Sequence, residues 1–341
     1  MLFIRADSNN IISGGHIMRC LAIAKTMQKI EENVCFLTAD DNSSKVLTEA
    51  GIKHVVLHSD WSNLMTDVDA VKILLQKEDK PLLLIDTYKI TKDYVEALKP
   101  YCKIAYLGSK LEYLGQLDFL INYSTDIDYQ FYQNHYDEKT LLLLGPSFAP
   151  LRDEFQNIER SYKSRIERVL LTTGNTNKDQ MVDSILKKIL PVIQENDIII
   201  DVVIGRMFED KLRLCEKYDR LPNVVLHENV QSMSTLMRNC DLAISANGTT
   251  VYELSAIGLP TISFAMVEEQ VRSAEVLSSL GAINYCGRSY SNKNECINSI
   301  VKRVKYYMVH NEELINLAKT AHNLIDGNGC QKIVEALMSG F

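Results

Sequence analysis

The chain has 341 residues and a formal net charge of −7 at pH 7, and 46% of its residues are hydrophobic and 24% are charged. This length predicts two domains that each bury their own core, and the composition is that of an ordinary soluble globular protein. The negative charge leaves no basic surface for nucleic acid, which we exclude as a partner, and no apolar run reaches membrane-spanning length.

The eight cysteines are scattered along the chain, without a C-x-x-C pair or the spacing of metal ligands. This usage is typical of reduced thiols, and the first residues lack the features of a signal peptide. We therefore expect a cytoplasmic protein that uses neither a metal nor another cofactor.

Short apolar stretches alternate with helical patterns along the first half of the chain. The expected strands are MLFIRAD, NVCFLTA, HVVLH, LLLIDTY, KIAYLG, FLINYS and LLLLG. Such alternation is typical of βαβ units that build a parallel sheet. We predict an α/β domain over residues 1–160, which ends in a charged segment near Arg160.

The same alternation resumes after that segment. The expected strands are VLLTTG, DIIIDVVIG, NVVLHENV, CDLAISANG, LPTISFAMV and AINYCG, which predict a second α/β domain over residues 161–341. From residue 292 to residue 341 the pattern is helical except at DGNG, and it stays open whether the last helices pack back on the first domain. Two Rossmann-like domains joined by a short linker are expected to face a cleft, the usual place for a ligand.

A histidine follows two glycines in SNNIISGGHIMRC, residues 8–20, where the first strand gives way to a helix. Ligands of α/β folds bind beyond the carboxyl ends of strands, where helix amino termini offer free N–H groups. Such a helix end disfavours the imidazolium form of His16, which suits it to act as a general base. Gly14 and Gly15 let the backbone turn and leave room for a substrate. The alternative is a plain turn in which His16 caps the helix.

Charged residues flank this histidine. Arg19, one turn further along the helix, either faces the ligand or lies in solvent or in an ion pair, and the latter is the more common arrangement. Asp7 either orients His16 or accepts hydrogen bonds in a turn, and Arg5 flanks the same loop.

A second junction between a strand and a helix lies in CDLAISANGTTVYELSAIGLP, residues 240–260. Gly248, Thr249 and Thr250 can offer N–H and hydroxyl donors to a phosphate, with the helix dipole as the counter-charge. Glu253 falls one turn into the helix, where its carboxylate can accept hydrogen bonds from sugar hydroxyls. The alternative is a capping box between one of the threonines and Glu253.

Both junctions resemble the PseG family, and so do several further stretches along nearly the whole chain: RADSNNIISGGHIMRCLAIA, LLLIDTY, LLLLGPSFAPLRDEF, MSTLMRNCDLAIS, ISANGTTVYELSAIGLP and DGNGCQKIVEAL. That family comprises UDP-sugar hydrolases of the pseudaminic-acid pathway and their relatives in spore-coat polysaccharide synthesis. Its fold is the glycosyltransferase-B (GT-B) fold. The most specific element of the resemblance is the Gly-His-x-x-Arg placement after the first strand.

The resemblance implies that water cleaves a UDP-sugar at the anomeric carbon and releases UDP and the free sugar, which we expect to proceed with inversion. His16 would activate the water, and Glu253 would bind the ribose. Further contacts to the UDP-sugar are expected from Gly14, Gly15, Arg19, Asp86, Tyr88, Gly174, Gly248, Thr249, Thr250, Glu269 and Gln270. The substrate of the best-known members is UDP-2,4-diacetamido-2,4,6-trideoxy-β-L-altrose, and the scheme requires no metal. Association with neighbouring pathway enzymes stays open.

The chain departs from the family pattern at three places. It reads GNTN at residues 174–177 where Gly-Gly-Ser/Thr-Asp is common, and LGSK at residues 107–110 where Asp-Asp-Leu is common. It has Glu269 before Gln270 where Asn-Gln is usual, which replaces a hydrogen-bond donor by a charge. We therefore expect the sugar to be a relative of the known substrate.

Two other functions stay open at this point. In an inverting UDP-sugar glycosyltransferase, His16 would deprotonate an acceptor hydroxyl instead of water. In a non-catalytic nucleotide-sugar binding protein the missing acids would be tolerated, but a neutral histidine at the site would have no purpose.

Overall fold

The computed structural model describes residues 1–9, 11–12 and 14–339. The chain divides into two compact units, Met1–Asp153 with Asn328–Phe341, and Glu154–Gly327. The predicted boundary lay near Arg160, a few residues beyond this division, and the predicted second domain included residues 340 and 341, which lie outside the described residues. The final helix belongs to the first unit.

The first unit is built on a parallel sheet of seven strands within the described residues. These are β1 (Leu2–Ala6), β2 (Val34–Thr38), β3 (Lys53–Val56), β4 (Leu82–Asp86), β5 (Lys103–Leu107), β6 (Phe119–Asn122) and β7 (Leu141–Leu144). Their order in the sheet is β3-β2-β1-β4-β5-β6-β7, and β1 pairs with both β2 and β4. The chain therefore reverses its direction of travel across the sheet between β1 and β4, which is a topological switch point.

Helices cover both faces of this sheet. They are α1 (Gly15–Gln28), α2 (Ser44–Glu49), α3 (Val68–Leu75), α4 (Lys92–Leu98), α5 (Tyr129–His135) and, from the end of the chain, α13 (Gly329–Ser339). Alternate strand residues point to opposite faces, so Ile4 packs in the core beneath α1 and α13, whereas Phe3 packs in the core beneath α3 and α4. Both faces are apolar because helices bury both of them.

The second unit repeats this plan. Its described strands are β8 (Arg168–Thr172), β9 (Ile199–Ile204), β10 (Val224–Glu228), β11 (Leu242–Ala246), β12 (Thr261–Ala265) and β13 (Asn284–Arg288). They form a parallel sheet in the order β10-β9-β8-β11-β12-β13. The switch point of this sheet lies between β8 and β11.

The helices of the second unit are α6 (Met181–Glu195), α7 (Lys211–Tyr218), α8 (Met233–Arg238), α9 (Thr250–Ile257), α10 (Val271–Ser279), α11 (Lys293–Tyr307) and α12 (Asn311–Leu324). Short 3-10 turns occur at Leu64–Asp67, Pro146–Phe148, Asp153–Phe155, Lys178–Gln180 and Glu268–Gln270. The α9 helix ends at Gly258, which adopts a left-handed conformation with φ of 66° and so closes the helix as a glycine commonly does.

The predicted α/β architecture with two parallel sheets is confirmed. Each of the thirteen stretches expected to be strands overlaps one of the observed strands, although β3, β8 and β13 each extend one residue beyond the expected stretch. The helices α11, α12 and α13 occupy the helical pattern at the end of the chain. Within residues 1–9, 11–12 and 14–339, every helix is too short or too polar to span a lipid bilayer.

Candidate functional site

Two of the predicted site residues meet at the switch point of the first unit. His16 is the second residue of α1, which follows β1, and Asp86 is the last residue of β4. Because Ala6 and Asp86 are partners in the β1–β4 pairing, the chain segments that follow these two strands leave the sheet side by side. A histidine and a carboxylate separated by 70 positions are thus brought into contact.

Asp86 is the centre of a buried network at this edge. Its Oδ1 lies 2.7 Å from Nδ1 of His16, and its Oδ2 accepts a hydrogen bond from Nε of Arg19 at 2.6 Å. Nη2 of Arg19 also donates to Oδ1, so the guanidinium grips both carboxylate oxygens. The Cys20 thiol donates to Oδ2 at 3.3 Å, and Nη1 of Arg19 lies 3.1 Å from the Tyr123 hydroxyl. Every side-chain oxygen of Asp86 is therefore occupied by partners from α1.

The network assigns the tautomer of His16. Nδ1 of His16 lies 2.7 Å from Oδ1 of Asp86 and 2.8 Å from Nη2 of Arg19. Because Arg19 already donates to both oxygens of Asp86, and an unprotonated Nδ1 would turn its lone pair toward that carboxylate, we place the ring hydrogen on Nδ1. The other ring nitrogen, Nε2, then carries a lone pair and makes no hydrogen bond to the part of the chain that the structure describes. His16 is only 5% exposed, so the surrounding protein fixes the ring.

The charges of the network keep Asp86 ionised. Burial raises the pKa of this carboxyl, but the positive charge of Arg19 and the hydrogen bonds from Arg19 and His16 outweigh burial and hold the pKa below its ordinary value. For Arg19, burial is the largest single influence and lowers the pKa, but the charge of Asp86 and the hydrogen bonds to it, with smaller contributions from Tyr123 and Cys20, together raise the pKa above its ordinary value. Burial raises the pKa of the Cys20 thiol well above its ordinary value, so this thiol stays protonated.

The open side of His16 is lined by small and aromatic groups. Tyr88 is 59% exposed, and its ring meets the His16 ring edge-on at 5.0 Å between centroids. A side chain added at Gly14 or Gly15 would meet nothing within 4 Å, so there is space beside the start of α1. Gly14 has φ of −91°, which any residue can adopt, so the glycines matter for room and not for a sharp turn.

The structure decides between the alternatives stated for Asp7, Arg19 and His16. The idea that Asp7 orients His16 is wrong, because Asp7 accepts from Nη1 of Arg5 at 2.5 Å and from the backbone N–H of Ala39 at 2.7 Å. Arg19 takes the ion-pair alternative, with Asp86 as its partner. The side chain of His16 bonds to Asp86 and does not cap α1.

The switch point of the second unit carries the other predicted group. Gly174 follows β8, and Gly248, Thr249 and Thr250 lie between β11 and the start of α9. Thr249 occupies the N-cap position without a capping hydrogen bond from its side chain, so the capping box with Thr249 is not formed. Glu253 lies half-buried in the first turn of α9.

The donors that remain at the start of α9 are few. The N–H groups of Gly248 and Val251 bond to the carbonyls of Ala246 and Gly248, and the N–H of Tyr252 bonds to the carbonyl of Thr249. Gly248 therefore cannot offer its N–H to a phosphate, which corrects the expectation for that residue. Within the described part of the chain, the N–H groups of Thr249 and Thr250 make no backbone hydrogen bond and point out of the helix start, as an anion site requires.

Gln270 and Asn247 complete this edge. Oε1 of Gln270 accepts from the N–H of Met266 at 2.8 Å, and its Nε2 lies 3.8 Å from where a side chain on Gly248 would begin. Asn247, which sequence reasoning missed, is buried and donates to the carbonyl of Gln270 at 3.0 Å. Glu269 lies exposed on the same 3-10 turn. The only sequence signal for Asn247 was its place between a strand and a glycine.

The loop after β8 depends on two glycines. Gly174 has φ of +77°, and its carbonyl occupies the space that a side chain on Gly205 would need. Gly205 was missed because a glycine at a strand end carries no chemical signal. In the same loop Asn177, the last residue of GNTN, accepts from the N–H of Val182 at 2.9 Å and donates to Asp210 at 3.0 Å. Asn177 therefore anchors the loop.

The other departure from the family pattern is also anchored. Lys110 of LGSK donates to the carbonyl of Ile90 at 2.8 Å and pairs with Glu112 at 2.7 Å. In the described residues, no group of three or more His, Cys, Asp or Glu side chains is arranged to hold a metal ion.

A family model described as "Protein of unknown function (DUF354)" matches residues 166–313. The chain is 25% identical over 273 residues to an uncharacterized protein of Methanocaldococcus jannaschii, which covers 76% of this chain and 54% of that protein. It is 23% identical over 202 residues to the spore coat polysaccharide biosynthesis protein SpsG of Bacillus subtilis, covering 59% of this chain and 57% of SpsG.

A third relative comes from Helicobacter pylori and is named as both a pseudaminic acid cytidylyltransferase and a UDP-2,4-diacetamido-2,4,6-trideoxy-β-L-altropyranose hydrolase. It is 23% identical over 273 residues, which covers 78% of this chain and 44% of that protein. The chain thus spans about half the length of these three relatives.

Among solved structures, MurG of Acinetobacter baumannii matches 99% of this chain and 99% of its own chain, with a TM-score of 0.66 at 14% identity. This likeness confirms the GT-B fold expected from the sequence. Two of these relatives have names that refer to sugar chemistry, namely spore coat polysaccharide biosynthesis and UDP-sugar hydrolysis.

Proposed function

We propose that this protein is a UDP-sugar hydrolase that cleaves the anomeric C–O bond with inversion and releases UDP and the free sugar. The observation that carries the proposal is the His16 ring, whose Nδ1 is held by Asp86 while Nε2 is left with a lone pair at the switch point of the first unit. A general base needs this combination of a fixed ring and an available nitrogen.

The proposed reaction proceeds in one displacement. Nε2 of His16 accepts a proton from a water molecule as the water oxygen attacks the anomeric carbon. The bond from that carbon to the β-phosphate oxygen breaks, and its electron pair leaves with UDP. Because water attacks from the side opposite the leaving group, the configuration at the anomeric carbon inverts.

The second unit is proposed to hold the leaving group. The N–H groups of Thr249 and Thr250 at the start of α9 are aimed outward, and donors of this kind stabilise the charge that develops on the departing diphosphate. Gln270 adds an amide near Gly248, and Glu253 in the first turn of α9 is proposed to bind the ribose. Gly174 is proposed to leave space for the phosphates beside β8.

The sugar is proposed to lie beside Tyr88, Gly14 and Gly15. The exposed Tyr88 ring offers an apolar surface to the C–H face of a sugar, and the two glycines leave open space next to His16. The name of the Helicobacter pylori relative supports UDP-2,4-diacetamido-2,4,6-trideoxy-β-L-altrose or a similar amino sugar as the substrate. Glu269, which precedes Gln270 on its 3-10 turn, is proposed to account for a difference in the sugar, since it supplies a carboxylate where the family pattern has an amide.

An inverting UDP-sugar glycosyltransferase is the second candidate. It is favoured by a relative from Histophilus somni that is named as an N-acetylglucosamine transferase and is 21% identical over 357 residues, which covers 96% of this chain and 95% of that protein. In that case Nε2 of His16 would deprotonate an acceptor hydroxyl, and the same donors at α9 would hold the diphosphate.

The test is incubation with a panel of UDP-sugars, followed by proton NMR, for the wild type, H16N and H227N. His227 is the matched control, because it also bonds to a buried aspartate, at 2.7 Å from Oδ1 of Asp201, but lies on β10 at the edge of its sheet, away from the switch point of the second unit. We expect release of an inverted free sugar by the wild type and H227N, and a loss of 10²- to 10⁴-fold in H16N. Equal turnover by H16N and wild type would exclude His16 as the base. Turnover that appears only when an acceptor alcohol is added would favour the transferase.

A further inference from the structure

We propose that Arg19 keeps His16 uncharged by cancelling the charge of Asp86, so that the imidazole serves as a base and not as one half of an ion pair. In this role Arg19 is a positioning residue that acts through Asp86, in place of the substrate contact expected for both residues from the sequence. The consequence for turnover rests on the proposed function, whereas the protonation state of His16 does not.

The distances carry the inference. Nδ1 of His16 lies 2.7 Å from Oδ1 of Asp86 and 2.8 Å from Nη2 of Arg19. A negative and a positive group at nearly equal distances have opposite effects on a proton added to the ring, and these effects largely cancel. Without Arg19, the carboxylate alone would favour the imidazolium.

Burial makes this cancellation matter. Asp86 is 1% exposed and His16 is 5% exposed, so water screens their interaction weakly. A protonated His16 would add a net positive charge to a site that already contains the balanced Arg19–Asp86 pair. It would also lie at the positive end of α1, which disfavours a cation.

The remaining groups around the ring add no compensating charge. Burial raises the pKa of the Cys20 thiol and of the Tyr106 and Tyr123 hydroxyls, so these groups remain neutral at neutral pH. Of the described side chains in this network, the charged ones are Arg19 and Asp86. The groups in contact with the His16 ring are Arg19 from α1, Asp86 from β4 and Tyr88 from the turn after β4. Cys20, Tyr106 and Tyr123 lie one step further out, beside Asp86 and Arg19.

An arginine can both neutralise the charge of Asp86 and hold its two oxygens, whereas a lysine can only neutralise the charge. Nε and Nη2 take separate oxygens of Asp86, and Nη1 reaches the Tyr123 hydroxyl, so three nitrogens of one planar group have distinct partners. A lysine would supply the charge without the fork. The two substitutions R19K and R19Q therefore separate the charge of Arg19 from its geometry.

The test is nitrogen-15 NMR of the histidine rings in the whole protein, with the His16 signals assigned by their loss in H16N. In the wild type at pH 7 we expect a neutral ring with its hydrogen on Nδ1. In R19Q we expect conversion to the imidazolium at a higher pH than in the wild type, whereas R19K stays close to the wild type. R168Q, which removes the arginine that grips Asp201 in the second unit, leaves the His16 signals unchanged.

Several outcomes would overturn the inference. An imidazolium at pH 7 in the wild type would do so even if neither variant folds. If the pH of conversion to the imidazolium shifts equally in R19K and R19Q, the effect comes from losing the forked geometry of the guanidinium and not from its charge. If that pH shifts in neither variant, Arg19 does not control the protonation of the His16 ring. Where turnover is measured, the acidic limb of the rate profile moves to higher pH in R19Q. Absence of any turnover, with the ring signals as expected, would contradict the proposed hydrolase alone.

Discussion

Each unit contains a cluster of one histidine, one arginine, one cysteine and one aspartate in contact. The cluster of the first unit lies at a switch point, and the cluster of the second unit does not. The His16 cluster comprises His16, Arg19, Cys20 and Asp86, and the His227 cluster comprises Arg168, Asp201, His227 and Cys240. In each, a buried aspartate takes two donors from an arginine, a ring nitrogen from a histidine and a thiol from a cysteine. The residue types alone therefore do not distinguish a candidate active site from a structural ion pair.

Position in the sheet makes the difference. Asp86 ends β4, and its partners come from the helix that begins at the carboxyl edge of the sheet. Asp201 lies in the middle of β9, and Arg168 is the first residue of β8, at the amino end of that strand. The His227 ring also uses Nε2 to reach its aspartate, whereas the His16 ring uses Nδ1. Ligands bind at carboxyl edges, so we expect only the His16 cluster to serve chemistry.

The largest expected effect comes from neutralising the two aspartates. D86N and D201N each leave an arginine with its charge uncompensated, so both should lower the free energy of unfolding, by on the order of 3 kcal/mol. D86N should also reduce turnover about 10²-fold or more, because an amide no longer selects the Nδ1–H tautomer. D201N should retain most of its turnover per folded molecule. Thermal unfolding and NMR-monitored turnover measure the two effects, and equal losses of turnover would erase the distinction between the clusters.

A smaller effect is expected at the start of α9. A methyl group on Gly248 would meet Nε2 of Gln270 at 3.8 Å, an ordinary contact, but would crowd the proposed phosphate position. G248A should therefore weaken UDP binding roughly tenfold, or about 1.4 kcal/mol, with an unchanged unfolding midpoint. G15A is the matched control in the first unit, where the added methyl meets nothing within 4 Å. Calorimetric titration with UDP should show normal affinity for G15A; weakening by G15A and not by G248A would assign UDP to the wrong switch point.

The loop after β8 allows a test of backbone packing that changes no charge. A side chain on Gly205 would collide with the backbone carbonyls of Gly174 and Asn175, which cannot move as freely as a side chain. G205A should lower the free energy of unfolding by roughly 1–3 kcal/mol. Urea unfolding measures this change, and a stability equal to that of the wild type would show that the loop does not need its close approach to β9.

The smallest expected effect concerns acid stability in the second unit. Burial raises the pKa of Asp183, but hydrogen bonds from Lys187, Lys217 and Tyr218 outweigh it and hold the pKa far below its ordinary value. A carboxyl whose pKa is lowered by folding stabilises the protein above its unfolded pKa, near 4, and loses that contribution as the pH falls. D183N should therefore show a shallower decrease in unfolding free energy between about pH 5 and pH 2.

The control for this measurement is D197N, at an exposed position just after α6 with φ of 53°, which asparagine tolerates. Its acid dependence should match that of the wild type. A D183N profile as steep as that of D197N would contradict the assignment.

The sequence predicted the architecture because alternating apolar strands and helices are a local pattern. It placed His16 at a junction between a strand and a helix and included Asp86 and Arg19 among the site residues. It did not predict that these three contact one another, because that contact depends on β1 lying next to β4, and strand order is not a local property. The same lack left open whether Asp7 orients His16, and the structure shows that Asp7 accepts from Arg5 of β1 instead.

The second switch point was predicted less completely. Gly248 was expected to donate its N–H, but hydrogen bonding within the turn uses that group. Asn247 was missed because its role is a hydrogen bond from its amide to the carbonyl of Gln270, and Gly205 was missed because its role is close backbone packing. A single sequence holds no chemical signature of either role.

The most direct test of the central claim is hydrolysis in water enriched in oxygen-18, with the UDP-sugar that the panel shows to be consumed. The account predicts one labelled oxygen at the anomeric carbon of the released sugar, unlabelled UDP, and an inverted anomer in the first NMR spectra. Label in UDP would place bond cleavage at phosphorus, and an unlabelled sugar product would show that the acceptor is not water. Either result would contradict the role assigned to His16 as the base that activates water.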